Sequence, residues 1–259
     1  MSDFLLVSAA SLLAVIVLMA ITARIGFTLG RHNVVDVTWG LAFVVIALVA
    51  ALVGTGEPAR RIVVALLVAI WGLRLSWHLL QRTRGHGEDP RYAAMLERHG
   101  SDSPWVPITR IYLTQALAAW FISLPIQVAA ISDGPLGWIA FAGILLWIVG
   151  VLFESVGDHQ LREFKADRAN RGKIMDRGLW SWTRHPNYFG DACVWWGIFL
   201  IAADVWPGAL TVLSPVVMTY FLVYATGARL LEQHMADRPG FREYQERTSY
   251  FVPLPPKRG

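Results

Sequence analysis

The sequence predicts an all-α, polytopic integral membrane protein: one bundle of seven transmembrane helices. Apolar residues make up 55% of the 259-residue chain and charged residues 16%, with a mean hydropathy of +0.44, whereas a soluble domain carries roughly a quarter charged residues. The apolar residues fall into blocks close to the roughly 20 residues that cross a hydrocarbon layer. Of the 23 Lys and Arg, 20 lie in connections that share one face of such a bundle. A soluble globule, a disordered chain, collagen and a coiled coil are excluded together.

The apolar blocks are 3–23, 37–54, 61–80, 112–131, 135–155, 188–204 and 208–228. The first has no basic residue before its core and no clear small-residue cleavage site after it, so it reads as a retained span rather than a signal peptide. The long connections 81–111 and 156–187 and the tail 229–259 fall on one side, and 132–134 and 205–207 are tight turns on the other. The basic residues follow the long connections; only Arg60 and Arg61 lie opposite, and Arg74 lies inside a span. By the positive-inside rule the amino terminus is outside and the long connections are cytoplasmic. The net charge of +4 therefore reports topology, and no nucleic-acid partner is expected. A single cysteine, Cys193, excludes an internal disulfide framework and a cysteine-clustered metal site, and no metal is expected.

Several polar residues sit where a bilayer resists them. Arg74 and His78, four apart on the third span, share a helix face; Arg74 serves either function or a snorkelling contact with the interface. Asp36, at the entry to the second span, can cap that helix. Glu154 and Asp191 lie near the cytoplasmic ends of their spans, and Gln115 and Gln127 suit interhelical hydrogen bonds.

The segment QLREFKADRANRGKIMDRGLWSWTRHPNYFGD, Gln160 to Asp191, concentrates the chemistry. Asn170, Arg171 and Lys173 form a group able to grip an anionic polyphosphate. Trp180 and Trp182 suit the membrane interface or stacking on a nucleotide. Pro186 disfavours helix at His185 and can open the sixth span, which would display Arg184 and His185 at a helix amino terminus. Asn187 and Asp191 then share a face, with Tyr188 beside them.

GLWSWTRHPNYFGD resembles the signature of the steroid 5α-reductase-like membrane proteins, in their bacterial branch, and is similar to the corresponding segment of the delta-14 sterol reductases. Isoprenylcysteine carboxyl methyltransferases share a shorter Arg-His-Pro-x-Tyr core. The resemblance extends to Asn33–Gly40, to WGLRLSWHLLQRTRGHGEDPRY and to the tail LLEQHMADRPGFREYQERTSYFVPLPPK. It implies a protein of the bacterial inner membrane whose cytoplasmic half binds NADPH and which reduces an electron-poor carbon–carbon double bond, an enone, in a steroid-like or other hydrophobic lipid. Carried over by motif, Asn170, Arg171 and Lys173 would meet the phosphates or adenosine. Trp182, Arg184, His185, Asn187, Tyr188 and Asp191 would line the cofactor site, joined by Glu232, Arg238 and Tyr244 from the tail and by Arg74, Arg82, Arg84 and Asp89. No GxGxxG fingerprint is present, so cationic loops would hold the phosphates. The steroid reductases polarise the substrate carbonyl with a Glu in a Gln-Glu-Leu-Pro stretch and a third-span Tyr. This chain lacks that stretch and has Trp71 at the matching position. Asp36 is the candidate replacement and, with Tyr188 and Asp191, completes the candidate catalytic set. An S-adenosylmethionine-dependent methyltransferase and a catalytically silent lipid-binding protein are the alternative classes.

Overall fold

A computed structural model describes residues 2–99 and 103–257. Arg258, counted above among the basic residues, lies outside them. The described residues are helical apart from short turns and one isolated parallel bridge, and the chain divides into two compact units, Met1–Gly137 with Ile201–Thr211 and Trp138–Leu200 with Val212–Gly259.

The first unit opens with α1 (Ser2–Leu29), α2 (Val34–Val53) and α3 (Pro58–Thr83). α1 buries a stripe through Ser11, Val15, Met19 and Thr22 at helical spacing. Leu5, Leu13 and Ile21 remain exposed, as a lipid-facing helix requires. Thr22 and Thr38 share a 3.1 Å hydroxyl contact between α1 and α2. α2 meets α3 at a glycine crossing, where a Cβ added to Gly72 would stand 2.6 Å from the Gly40 carbonyl oxygen. The short α4 (Pro90–His99) follows. Then α5 (Trp105–Pro107) runs through a π-helical turn, Ile108–Leu113, into α6 (Thr114–Ile122) and α7 (Leu124–Ala129). Pro125 and Ser123 break that last helix, and Gln127 Nε2 mends the break by donating to the Trp120 carbonyl (3.0 Å) and Ser123 Oγ (2.8 Å).

The far turns of this unit are held by Arg60, which is fully buried. It donates to the Gly134 and Pro135 carbonyls, to that of Ile201, and to Asp204 at 2.8 Å. Asp204 in turn accepts the Gly137 amide at 2.8 Å. Five donors in one fixed fork allow Arg60 to satisfy groups that neither helix nor lipid would.

The second unit is built on α8 (Trp138–Ala166), followed by 3-10 turns at Arg168–Asn170 and Gly178–Ser181 and by α9 (Pro186–Ala203). α8 and α9 approach through glycines. A Cβ added to Gly150 would lie 2.6 Å from the Gly190 carbonyl, and one on Gly197 would lie 2.6 Å from that of Gly143. α10 (Leu213–Tyr220), a π-helical turn at Phe221–Ala225, α11 (Ala228–Met235) and α12 (Phe241–Arg247) complete it.

Among the described residues, five helices are long and apolar enough to cross a membrane, Ser2–Leu29, Val34–Val53, Pro58–Thr83, Trp138–Ala166 and Gly208–Met235. The chain is thus an all-α polytopic membrane protein. The other two expected spans fall on the interrupted α6–α7 pair and on the 18-residue α9. Helices also outrun their apolar blocks. Arg24 lies on α1, Arg82 on α3, Arg162 and Lys165 on α8 and Arg229 on α11, rather than in connections. Arg and Lys are good helix formers, so nothing local stops these helices at the edge of the hydrocarbon.

Candidate cofactor cradle and proton pair

In the second unit, Pro186 is the first residue of α9, as its fixed φ favours, and the preceding Arg184 and His185 turn onto Glu232 of α11. One carboxylate collects donors from three side chains. Glu232 Oε1 accepts Arg184 Nε at 2.6 Å and His185 Nε2 at 3.1 Å, and Oε2 accepts Gln245 Nε2 at 2.8 Å. Arg184 Nη1 also donates to the Gln245 and Thr248 carbonyls, at 3.1 and 2.6 Å, and its guanidinium lies 5.2 Å from the Tyr250 ring centre. Arg184 is therefore a hub for the tail and is not displayed to an anion, which corrects the sequence expectation. The helix terminus alone could not reveal a carboxylate arriving from 48 residues away.

His185 is 2% exposed. Nε2 faces the Glu232 carboxylate and donates to it, which leaves Nδ1 as the second hydrogen-bonding atom of the ring. Nδ1 has no hydrogen-bond partner among the described residues. Tyr188 stacks on one face of the ring at 5.7 Å and Tyr250 meets its edge at 5.5 Å. Asn187 Nδ2 donates to the buried Asp158 at 3.2 Å, fixing α9 to α8. Asp191 is buried one turn further along.

The wall behind this cluster is backbone. Trp180 Nε1 donates to the Gly157 carbonyl (3.0 Å), Gln160 accepts the Leu179 amide (3.0 Å), and the Tyr244 hydroxyl donates to the Trp180 carbonyl (2.6 Å). Burial raises the Tyr244 pKa well above the ordinary phenol value, so it remains a donor. The tail closes over the motif through the Arg184 amide on the Ser249 carbonyl and the Leu254 amide on that of Trp182. Trp182 itself stays exposed. Asn170 Nδ2 donates to the Phe164 carbonyl (3.0 Å), while Arg171 and Lys173 are exposed and, among the described residues, carry no carboxylate partner. Arg238 is exposed on the turn between α11 and α12.

The first unit holds a separate cluster. Asp36 lies in the first turn of α2, and its carboxylate accepts the Tyr92 hydroxyl at 2.6 Å instead of capping the helix, which corrects the capping expectation. Glu88 instead accepts the amides of His32 and Asn33, the two residues just before α2. Gln115 Nε2 donates to Tyr92 Oη at 3.1 Å, so Tyr92 receives one hydrogen bond and gives one. Arg91 spans two carboxylates, at 3.0 Å from Asp89 and 3.6 Å from Asp36. Burial works to raise the Asp89 pKa, and the Arg91 hydrogen bonds and charge outweigh it, leaving Asp89 below its ordinary value. Burial first, and then the charge of Asp36, push the Tyr92 pKa well up. Arg74 is half-buried on α3, and Arg82 and Arg84 are exposed. Tyr92 and Gln245 escaped the sequence reading because their roles depend on partners far along the chain.

A family model described as Protein of unknown function (DUF1295) matches residues 23–248. The chain belongs to that family. It is 28% identical over 112 residues to mouse 3-oxo-5-alpha-steroid 4-dehydrogenase 1, a match that covers 43% of this chain and 41% of that protein. The rat protein of the same name is 27% identical over 112 residues, covering 43% and 40%. An uncharacterized protein of Schizosaccharomyces pombe is 23% identical over 225 residues, covering 75% of this chain and 63% of its own. The chain thus spans about two fifths of the mammalian relatives' length. No solved structure gives a significant match.

Proposed function

We propose that the chain is an NADPH-dependent membrane reductase that saturates an electron-poor carbon–carbon double bond in a hydrophobic lipid, with all seven apolar segments crossing the membrane. The observation that carries this reading is the buried His185 ring, held by Glu232 on one side and offering on the other a nitrogen, Nδ1, that has no partner among the described residues. Such a group fits a ligand with a carboxamide, as a nicotinamide has, and buried polar atoms without partners call for one. Distant, partial similarity to 3-oxo-5-alpha-steroid 4-dehydrogenase 1 supports the same class of reaction.

The cofactor residues divide into two kinds. Arg171 and Lys173 are exposed cations without a carboxylate partner among the described residues and suit phosphates, and the exposed Trp182 offers a stacking face. Arg184, Glu232 and Tyr244 act through others, positioning His185 and the tail. NADPH, when bound, supplies a hydride to the β-carbon of the enone. The chain must then polarise the carbonyl and deliver a proton to the α-carbon. Within the first unit, Asp36 and Tyr92 hold a proton between Oδ1 and Oη over 2.6 Å, with Gln115 orienting the phenol, which suits this pair to proton transfer. Trp71 is fully buried against Phe43 and offers no acid at the third-span position.

The test is a titration of detergent-purified protein with NADPH, NADH and S-adenosylmethionine, followed by tryptophan-to-nicotinamide energy transfer and by calorimetry. Saturable NADPH binding is expected, weakened at least tenfold in the exposed double variant Arg171→Glu/Lys173→Glu, whose fold should be unaffected. Binding of S-adenosylmethionine alone, or of none of the three, would overturn the reading.

A further inference from the structure

A groove of about 620 Å³ in the first unit runs beside α1, open to the surroundings. That volume lies within the roughly 300–1,000 Å³ of small-molecule sites. One wall is a stripe of α1 through Ile16, Ala20 and Phe27, and the other is the π-helical turn with Ile108 and Leu113. Thr114 Oγ1 donates to the Thr109 carbonyl at 2.9 Å, five residues back, which fixes the widened turn. π turns inserted in α-helices recur at functional sites because they displace side chains from the regular face.

The groove is apolar except at one end, where Arg24 and Thr28 enter its lining. Arg24 is exposed, and among the described residues its guanidinium meets no carboxylate, carbonyl or hydroxyl. It is not in the last turn of α1, so the helix dipole does not explain its place. From Arg24 to Ile16 the groove follows eight residues of α1, roughly 12 Å at the helical rise. An apolar channel that ends at an unpaired guanidinium has the polarity of a lipid: a chain along Ile16 and Ala20, and an anion at Arg24.

We propose that this groove binds one anionic phospholipid of the adjacent leaflet, with an acyl chain along α1 and the headgroup phosphate on Arg24. The site is independent of the reductase reading, and a failure to bind NADPH leaves it untouched.

The test is native mass spectrometry of delipidated protein titrated with dioleoyl phosphatidylglycerol or dioleoyl phosphatidylcholine, which share the same chains. Wild type should take up one phosphatidylglycerol at least tenfold more tightly than phosphatidylcholine. Arg24→Gln should abolish the preference. Ala20→Trp, an exposed groove position, should weaken both lipids, whereas Leu13→Trp, exposed on α1 outside the groove, should change neither. Equal affinities in wild type, a preference that survives Arg24→Gln, or binding indifferent to Ala20→Trp would each overturn the proposal. Melting curves of each variant separate lost binding from lost fold.

Discussion

Glu232 accepts hydrogen bonds from Arg184, His185 and Gln245, so its removal leaves a guanidinium and an imidazole without their shared acceptor. Glu232→Gln keeps the shape but loses the charge, and should destabilise the second unit by on the order of 2–3 kcal/mol, read as a lower melting temperature in detergent. Arg60 is a stricter case because it is fully buried among carbonyls and Asp204. Arg60→Met should cost about 3–5 kcal/mol, and adding Asp204→Leu should recover part of that loss; equal melting of wild type and Arg60→Met would refute the assignment. His32 carries a pH dependence. Burial lowers its pKa below the ordinary 6.5 against the opposing pull of Glu88, so the unfolded chain takes up a proton that the folded chain resists. Stability is therefore complete above pH 6.5 and falls as the pH drops below it toward the lower folded value. Melting should fall between pH 7.5 and 5.5 in wild type, and by less in His32→Gln, which can still meet the Tyr112 hydroxyl now 2.8 Å from Nδ1.

At the scale of the element, two kinds of glycine can be told apart. Gly143, Gly150 and Gly157 recur every seven residues on α8, and Gly150 stands against Gly190 with no room for a Cβ. Gly172 has φ +82° and open space around it. Gly150→Ala must push α8 from α9 and should abolish a sharp melting transition, whereas Gly172→Ala should cost only about 1 kcal/mol for its left-handed backbone; similar losses in both would contradict the close crossing. This contrast also marks what the sequence made legible. The sevenfold spacing is visible in the chain, but nothing local says which helix it meets. Pro186 opens α9 as its fixed φ requires, a local property read correctly. The extension of α1 past Arg24 and of α8 past Lys165 was not legible from apolar blocks, because helix propensity and membrane burial are separate forces that end at different residues. The Asp36–Tyr92 pair was half-visible: an acid out of place was evident, while its partner 56 residues away was fixed only by the fold.

For the whole molecule, the positive-inside rule and the helix count make a joint prediction. Five crossings, the number of helices with sufficient length and hydropathy among the described residues, place the two ends of the described chain on opposite sides, and so do the seven proposed crossings. An even number would place them together. Arg171, Lys173 and Arg238 must share the NADPH-containing compartment for the proposed chemistry to work, which the positive-inside rule predicts to be the cytoplasm. Cysteines introduced at Ser2 and at Lys257 test both points in intact and permeabilised cells, with the buried Cys193 as a silent background. The Ser2 site should react with a membrane-impermeant maleimide in intact cells, and the Lys257 site only after permeabilisation. Reaction of both in intact cells would place the cationic loops outside, away from any NADPH pool, and would remove the reductase reading even if the fold were correct in every other respect.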